Sequence, residues 1–240
     1  MLGSKYRTRF TLVQFTIITV LLWSSLSLGC VSPQESTLSR EKEIVMKLPE
    51  PRYDGNISVE QAILQRRSVR AYTDEPLSLD EVSQLLWAAQ GITDPNGFRT
   101  APSAGGTYPL NVYLVTGNTT DLGAGIYRYE PSGHVLERVV AGDMRAELAS
   151  AALGQDCVRD GAINIVLTGI YERTTERYGE RGIRYVHMEA GHAAQNVYLQ
   201  AAALNLGTVV VGAFHDDQVR EILGIDKKEH PLYIIPVGKK

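Results

Sequence analysis

A basic stretch, Arg66-Arg67-Ser68-Val69-Arg70, places three arginines and a hydroxyl within five residues of this chain. It follows an apolar segment, residues 59–64, that has the composition of a helix. If the chain leaves a helix here and turns into a strand, the side chains of Arg66, Ser68 and Arg70 can converge on one anion. Arginine suits a phosphate because its planar donors bind two oxygens at once. On its own, the stretch is explained equally well as a solvated basic helix end, where cations offset the helix dipole.

Three further stretches follow, and the first is a loop suited to close contact with a flat ligand. Residues 93–106 are rich in Pro, Gly, Asn and Ser, and such loops carry function when a scaffold holds them. Gly105 and Gly106 let the backbone approach a ligand that a Cβ would keep away. The other two stretches are Tyr-Gly-Glu-Arg-Gly-Ile-Arg-Tyr at 178–185 and Gly-Thr-Val-Val-Val-Gly-Ala-Phe at 207–214.

These four stretches, in this order, resemble the nitroreductase family of flavin enzymes, and the resemblance covers residues 59–240. The Pro-Ser-Ala-Gly-Gly and Tyr-Gly-Glu-Arg forms are most similar to the azoline-dehydrogenase (SagB/ThcOx-type) branch. The resemblance implies an α+β fold with a mixed central β-sheet flanked by helices, in a homodimer with FMN at the subunit interface. It also implies ping-pong transfer of hydride between a small-molecule donor and an acceptor. The lack of a Gly-x-Gly-x-x-Gly fingerprint after a strand agrees with FMN rather than FAD.

The resemblance also implies which residues hold the flavin. The basic stretch contacts the phosphate, the loop of the partner subunit lines the ring or ribityl chain, and a carboxamide meets the pyrimidine edge. Backbone amides after residue 210 face flavin N5, and a basic residue at the end of the chain contacts the phosphate. The positions in this sequence are Arg66, Arg67, Ser68, Arg70, Pro102, Ser103, Ala104, Gly106, Gln155, Val211, Gly212, Ala213 and Lys239. A surface loop, a helix-ending glutamine and a frayed terminus remain alternatives for 102–106, Gln155 and Lys239.

Two tyrosines, Tyr178 and Tyr185, are candidate proton donors, with packing as the alternative role for both. In the azoline-dehydrogenase branch a Lys-Tyr pair precedes Gly-Glu-Arg and assists proton removal. Here the pair is Arg177-Tyr178, and an arginine stays protonated and is a poor base. Three functions therefore remain open: a small-molecule FMN oxidoreductase, an azoline dehydrogenase acting on peptides, and a surface-anchored flavin-binding module without activity.

Local patterns predict the elements of a domain over residues 54–240. Ser58 and Ser78 are candidate N-caps, residues 162–170 form a strand run buried on both faces, and Gly207 is a candidate helix end. The predicted helices are 59–65, 79–90, 144–153, 185–204 and 216–223, and the predicted strands are 111–115, 125–129, 134–139, 162–170, 208–211 and 232–238.

The first part of the chain has the pattern of an export signal. Residues 1–30 combine a positively charged start, an apolar run and a lipobox-like Leu-Ser-Leu-Gly-Cys that ends at Cys30. This pattern predicts a lipoprotein signal or a membrane anchor, with 31–53 as a tether and the domain outside the cytoplasmic membrane. A net charge of −3 gives no support for a nucleic-acid partner, and two cysteines and five histidines show no metal-ligand spacing.

Overall fold

The computed structural model describes residues 45–240, and a seven-stranded antiparallel sheet lies at its centre. The strands follow the order β1-β4-β3-β2-β5-β7-β6 across the sheet. Their bounds are β1 Val45–Lys47, β2 Leu110–Thr116, β3 Gly125–Glu130, β4 Val135–Ala141, β5 Ile163–Gly169, β6 Leu206–Thr208 and β7 His230–Lys239. All seven positions of β5 are buried, as the sequence predicted. Every pair of these strands is antiparallel, and parallel pairing is found at two isolated bridges, Ser68–Thr208 and Leu77–Thr119.

Seven helices accompany the sheet within the described residues, so the α+β fold is confirmed. They are α1 Val59–Gln65, α2 Leu79–Gln90, α3 Arg145–Ala151, α4 Asp156–Asp160, α5 Glu172–Tyr178, α6 Arg181–Ala203 and α7 Asp216–Leu223. Ser58 and Ser78 each close a capping box at the start of α1 and α2, as predicted. A turn of 3₁₀ helix, Ala104–Gly106, lies in the loop between α2 and β2.

Helix α6 packs one face against the sheet with small and branched side chains. Its buried residues there include Val186, Ala190, Ala193, Val197 and Ala201, all at most 2% exposed. They recur three or four positions apart, which is the spacing of one helix face. Small side chains bring the helix axis close to the sheet, so α6 packs tightly against it.

The helix predicted over 185–204 begins at Arg181 and ends at Ala203, within one residue of its predicted end. The predicted stop at Gly207 and the strand predicted over 208–211 are wrong, and Asn205 rather than Gly207 takes the left-handed conformation after the helix, with φ 57°. Asparagine tolerates this conformation better than most residues. Gly207 instead lies inside β6, which covers 206–208 rather than 208–211. The reason is steric: a Cβ at Gly207 would lie 2.8 Å from Val69 Cγ1.

The predicted leader, 1–30, and residues 31–44 of the predicted tether lie outside the described residues and stay predictions. The rest of the predicted tether is wrong, because Val45–Lys47 pair with β4 as β1 and Leu48 is buried in the core. Among residues 45–240, none of the helices is long and apolar enough to span a membrane.

Candidate functional site

The basic stretch lies where α1 ends and the chain turns towards the sheet, as the sequence predicted. Arg66 closes the helix by donating its backbone N–H to Ala62 O at 2.9 Å. The chain then extends, and Val69 N donates to Thr208 O in β6 at 2.9 Å. The glycines of the neighbouring strands permit this contact, since a Cβ at Gly238 would lie 2.7 Å from the Tyr72 side chain. The sheet therefore fixes the backbone that carries the arginines.

The guanidinium groups of Arg66 and Arg70 donate no hydrogen bond to any protein group within residues 45–240. Arg70 is exposed, and Arg66 is half-buried with its guanidinium carbon 4.9 Å from the ring centre of Tyr198. Arg67 differs, because its Nη1 donates to the carbonyls of Leu64 and Arg66 at 2.9 and 2.8 Å. Two arginines thus keep all their side-chain donors available for a ligand.

Tyr198 on α6, a residue that the sequence analysis did not single out, joins the basic stretch to the segment before Val211. Its hydroxyl lies 3.0 Å from Ser68 Oγ and accepts a hydrogen bond from Val210 N at 2.9 Å. A partly buried tyrosine hydroxyl requires such partners, and this requirement is the signal that could have identified it.

A cavity of about 130 Å³ lies beside the basic stretch, and the end of the chain contributes to it. Lys240 lines this cavity together with Arg66, Arg67 and Tyr198. The preceding lysine, which the resemblance assigned to a phosphate, lies elsewhere: Lys239 Nζ donates to Glu81 Oε1 on α2 at 2.5 Å. Lys239 is the last residue of β7, and Lys240 lies just outside the strand.

Gln155 and the segment 211–213 come together on the same side of α6 as Tyr198. Val211 exchanges two backbone hydrogen bonds with Ile234, and the exposed Gly212 and Ala213 follow it. Gln155 Nε2 donates to Ala213 O at 3.0 Å and to Ala152 O at 2.9 Å, so its carboxamide oxygen is left as an acceptor. The amides of Gly212 and Ala213 donate to no protein acceptor within the described residues. These two amides are exposed donors on a fixed backbone.

The predicted flavin-lining loop forms a tight turn that α5 holds in place. Gly105 and Gly106 have φ of 62° and 67°, which glycine adopts without strain. Arg177 Nη1 donates to Gly105 O at 3.0 Å, and a Cβ at Gly105 would lie 2.5 Å from the Tyr178 hydroxyl. Within the turn, Ser103 Oγ accepts from Tyr108 N at 2.9 Å. Pro102 is exposed, and Ala104 is partly exposed.

Tyr178 and Tyr185, the candidate proton donors, lie beside this turn. Their rings meet edge to face with centres 5.2 Å apart, and both are half-buried. The structure thus brings both tyrosines and the Pro-Ser-Ala-Gly-Gly turn to one place, separate from the basic stretch.

The turn and the basic stretch lie on different sides of α6. Asn196 Nδ2 donates to Thr100 O at the start of the loop, at 3.1 Å, whereas Tyr198 contacts Ser68. Two residues along a helix correspond to about 200° around its axis. One chain therefore presents its two sets of predicted site residues on nearly opposite faces of the same helix.

A buried carboxyl group lies behind the turn. Glu189 on α6 is 2% exposed, and burial raises its pKa to about 7, although Ser103 and Arg99 oppose the shift. The Glu189 Oε1 atom has no hydrogen-bond partner within residues 45–240. The protonated acid is therefore favoured in the folded protein below about pH 7.

A cavity of about 780 Å³ lies elsewhere, between residues 52–57, α1, α2 and α6. Trp87 lines it and is half-buried, with the ring centre of Tyr53 at 5.6 Å. No predicted site residue lines this cavity. The size of this cavity does not by itself indicate a function, whereas three cationic side chains line the cavity of about 130 Å³ beside the basic stretch.

Comparison with known proteins gives relatives over most of this chain. The family model described as "Nitroreductase family" matches residues 63–239. Protein MJ1384 of Methanocaldococcus jannaschii, whose name assigns it provisionally to the nitroreductases, is 50% identical over 184 residues, which are 77% of this chain and 92% of that protein.

Two solved structures show the same fold. A protein of Ralstonia eutropha JMP134, also named provisionally as a nitroreductase, is 33% identical with a TM-score of 0.72, over 81% of this chain and 89% of that chain. A chain of the Escherichia coli microcin synthetase McbBCD complex, solved with truncated pro-MccB17 bound, is 25% identical with a TM-score of 0.65. That match covers 89% of this chain and 84% of the other.

Proposed function

The chain belongs to the nitroreductase family of oxidoreductases, and from this premise we propose that it is an FMN-dependent enzyme that works as a homodimer. The proposal rests on a set of hydrogen-bond donors on one side of α6 that have no protein acceptor within residues 45–240. They are the guanidinium groups of Arg66 and Arg70 and the amides of Gly212 and Ala213. An FMN phosphate needs charge-assisted donors, and a flavin ring needs backbone donors at its polar edge. The residues present fit this cofactor.

In this proposal each side chain has a defined task. Arg66, Arg67, Arg70 and Ser68 hold the phosphate, and Tyr198 fixes Ser68 and Arg66 through the contacts described above. The amides of Gly212 and Ala213 face the reacting edge of the ring, and the Gln155 oxygen accepts from the pyrimidine edge. When bound, FMN would supply the redox chemistry, which is hydride transfer between a small-molecule donor and an acceptor in ping-pong order.

The opposite placement of the two residue sets supports a site that is shared between two subunits. A ligand bound beside Tyr198 can touch a Pro-Ser-Ala-Gly-Gly turn if that turn comes from a second chain. Helix α6 offers a surface for this chain: Met188, Gly191, Gln195 and Tyr198 recur at three- and four-residue spacing, and Met188 is 51% exposed. A Cβ at Gly191 would meet nothing within 4 Å. This open stripe borders the basic stretch, so a partner packed on it lies next to the proposed phosphate site.

A second candidate function is azoline oxidation in a peptide. It is favoured by the similarity to a chain of the microcin synthetase complex and by the position of the Tyr178 hydroxyl, which lies against the turn. Against it stands Arg177, whose guanidinium remains protonated and is engaged with Gly105 O. Tyr178 and Tyr185 are the groups that would donate or accept a proton at the substrate in either function.

Flavin content is the first test. The chain without residues 1–30 is expected to purify yellow, to release FMN on denaturation, and to lose its flavin absorbance when a reduced nicotinamide is added without oxygen. Colourless protein that also fails to bind added FMN would contradict the proposal. A bound flavin that no donor bleaches, across reduced nicotinamides and azoline peptides, would favour the binding module over either enzyme.

A further inference from the structure

A second basic cavity, of about 180 Å³, lies on the side of the turn that faces β2 and β3. Three guanidinium groups reach it from three different elements: Arg99 from the loop after α2, Arg128 from β3 and Arg173 from α5. Gln90, Asn111 and Glu130 also line it. None of the residues that we assign to FMN lines this cavity, and it plays no part in the proposed function.

Buried donors without partners line this cavity. Gln90 is fully buried, and its Oε1 accepts from Arg99 Nη1 at 2.9 Å, so that its Nε2 is the donor still without a partner. Neither Gln90 Nε2 nor Arg99 Nε has a hydrogen-bond partner within residues 45–240. Of the Arg173 donors, only Nη1 makes hydrogen bonds within the described residues, to Tyr108 O at 3.3 Å and to Asn111 Oδ1 at 3.1 Å. A buried N–H without an acceptor is costly, so these donors indicate a bound acceptor.

The charges of the lining residues indicate which kind of acceptor suits this cavity. Among the lining residues, Glu130 carries the single carboxylate, and its Oε1 accepts from Ser132 N at 3.1 Å. Arg128 is paired with Glu137, outside the lining, through Nε and Nη2 at 3.1 and 2.7 Å. The lining keeps an excess of positive charge and of N–H donors. Because a guanidinium fork matches two oxygens of one anion, an oxyanion suits this lining better than a neutral acceptor.

We propose that this cavity is a binding site for a small oxyanion of the phosphate type. Its volume of about 180 Å³ exceeds the share of one water molecule in the liquid, about 30 Å³, several times over. It therefore has room for a tetrahedral anion that receives hydrogen bonds from Gln90, Arg99 and Arg173. The same chemistry can come from a free ion or from the phosphate group of a larger molecule.

Occupancy of this site is coupled to the turn through Tyr108. The Arg99 guanidinium lies 4.6 Å from the ring centre of Tyr108, and Arg173 donates to the carbonyl of the same residue. Tyr108 N in turn donates to Ser103 Oγ. An anion that fixes both arginines therefore stabilises the backbone of the turn that carries Ser103.

Calorimetric titration of inorganic phosphate into the FMN-saturated protein tests this site, with sodium chloride at equal ionic strength as the blank. The expected result is one saturable site per chain that weakens about ten-fold or more in Arg173→Gln, since a charge-assisted donor is lost. Arg159→Gln, a surface arginine on α4 that pairs with Asp156, is the matched control and should bind phosphate as the wild type does. Arg66→Ala should also leave this binding unchanged.

Three outcomes would overturn the assignment. The first is no saturable binding above the chloride blank, which would mean that the cavity holds water alone. The second is equal phosphate affinity in Arg173→Gln and wild type. The third is loss of phosphate binding in Arg66→Ala alone. If circular dichroism shows that Arg173→Gln is unfolded, the same titration is made with Arg128→Gln, because the Arg128 side chain is 43% exposed. Glycerol 3-phosphate is titrated in parallel: binding as tight as that of phosphate assigns the site to an esterified ligand, and weaker binding assigns it to the free ion.

Discussion

Arg66 and Arg70 are four residues apart, and the turn after α1 leaves both guanidinium groups without a protein acceptor in the described part of the chain. Arg67, between them, is held by two backbone carbonyls. This difference separates arginines that are free to bind a ligand from one that also supports the helix end. The phosphate assignment therefore depends most on Arg66 and Arg70.

Replacing either of these arginines by alanine should weaken FMN binding but leave riboflavin binding nearly unchanged, because riboflavin lacks the phosphate. A hydrogen bond to a charged group contributes about 1.5–3 kcal/mol, so the FMN dissociation constant should rise roughly ten- to a hundred-fold. Fluorescence titration with both flavins measures this, with Arg159→Ala as the control. Equal losses for FMN and riboflavin would show that the arginines support the fold instead.

Glu189 predicts a pH dependence of stability. Its pKa is raised to about 7 by burial, so the folded state holds a proton that the unfolded chain releases nearer its usual pKa. The wild type should lose stability as the pH rises from the usual carboxyl range to about 7, by at most about 3 kcal/mol. Glu189→Gln should remove this loss.

Urea unfolding at about pH 5 and about pH 8 measures the effect, as the change in the free energy of unfolding between the two. The exposed Glu147→Gln on α3 is the control and should keep the wild-type change. An equal change in Glu189→Gln and wild type would mean that the carboxylate is ionised in the fold.

Most elements could be predicted from local patterns, because the signals that begin and end them lie in the sequence next to them. The capping boxes at Ser58 and Ser78 and the glycine stop at Gly224 are examples, and Gly224 takes φ 65° as a left-handed cap requires. The position of Gly207 inside β6 could not be predicted this way. Gly207 is needed for the close approach of Val69, and a contact between distant residues leaves no local pattern.

The same limit explains which site residues the sequence missed. The motif at 66–70 could be identified by its charge, but Tyr198 lies on a helix where an aromatic residue is ordinarily explained by packing. Its role depends on Ser68 and Val210, which are distant in the chain. The difference between Lys239 and Lys240 depends on contacts with distant residues, because Lys239 donates to Glu81 on α2 and Lys240 lies beside Arg66 and Tyr198.

Tyr198→Phe should destabilise the link between α6, the basic stretch and the segment at 210. The substitution keeps the ring below Arg66 but leaves Val210 N without its acceptor. An unpaired buried donor costs about 1–3 kcal/mol, and the free energy of unfolding should fall by about this amount. Tyr53→Phe, at an exposed ring, is the matched control. Equal urea midpoints for Tyr198→Phe and Tyr53→Phe would show that the Tyr198 hydroxyl does not stabilise this link.

At the scale of the whole molecule, the position of α6 between the two residue sets is the reason why we propose that two chains form each FMN site. It holds the basic stretch near one face and the turn near the other, so the proposed FMN site is complete only when two chains pack along its exposed stripe. Closed two-fold symmetry then gives two identical sites per dimer. This is the claim on which the assignments of Pro102, Ser103, Ala104 and Gly106 depend.

The most direct test of this claim is the FMN content of a mixed dimer in which one chain carries Arg66→Ala and the other Gly105→Val. The valine would clash with Tyr178 and displace the turn, so each variant damages one half of the site. The titration uses an FMN concentration at which both variant homodimers are empty. We predict about half of the wild-type flavin content, because one of two sites in the mixed dimer combines the intact halves. A mixed dimer as empty as the two homodimers would contradict a shared site.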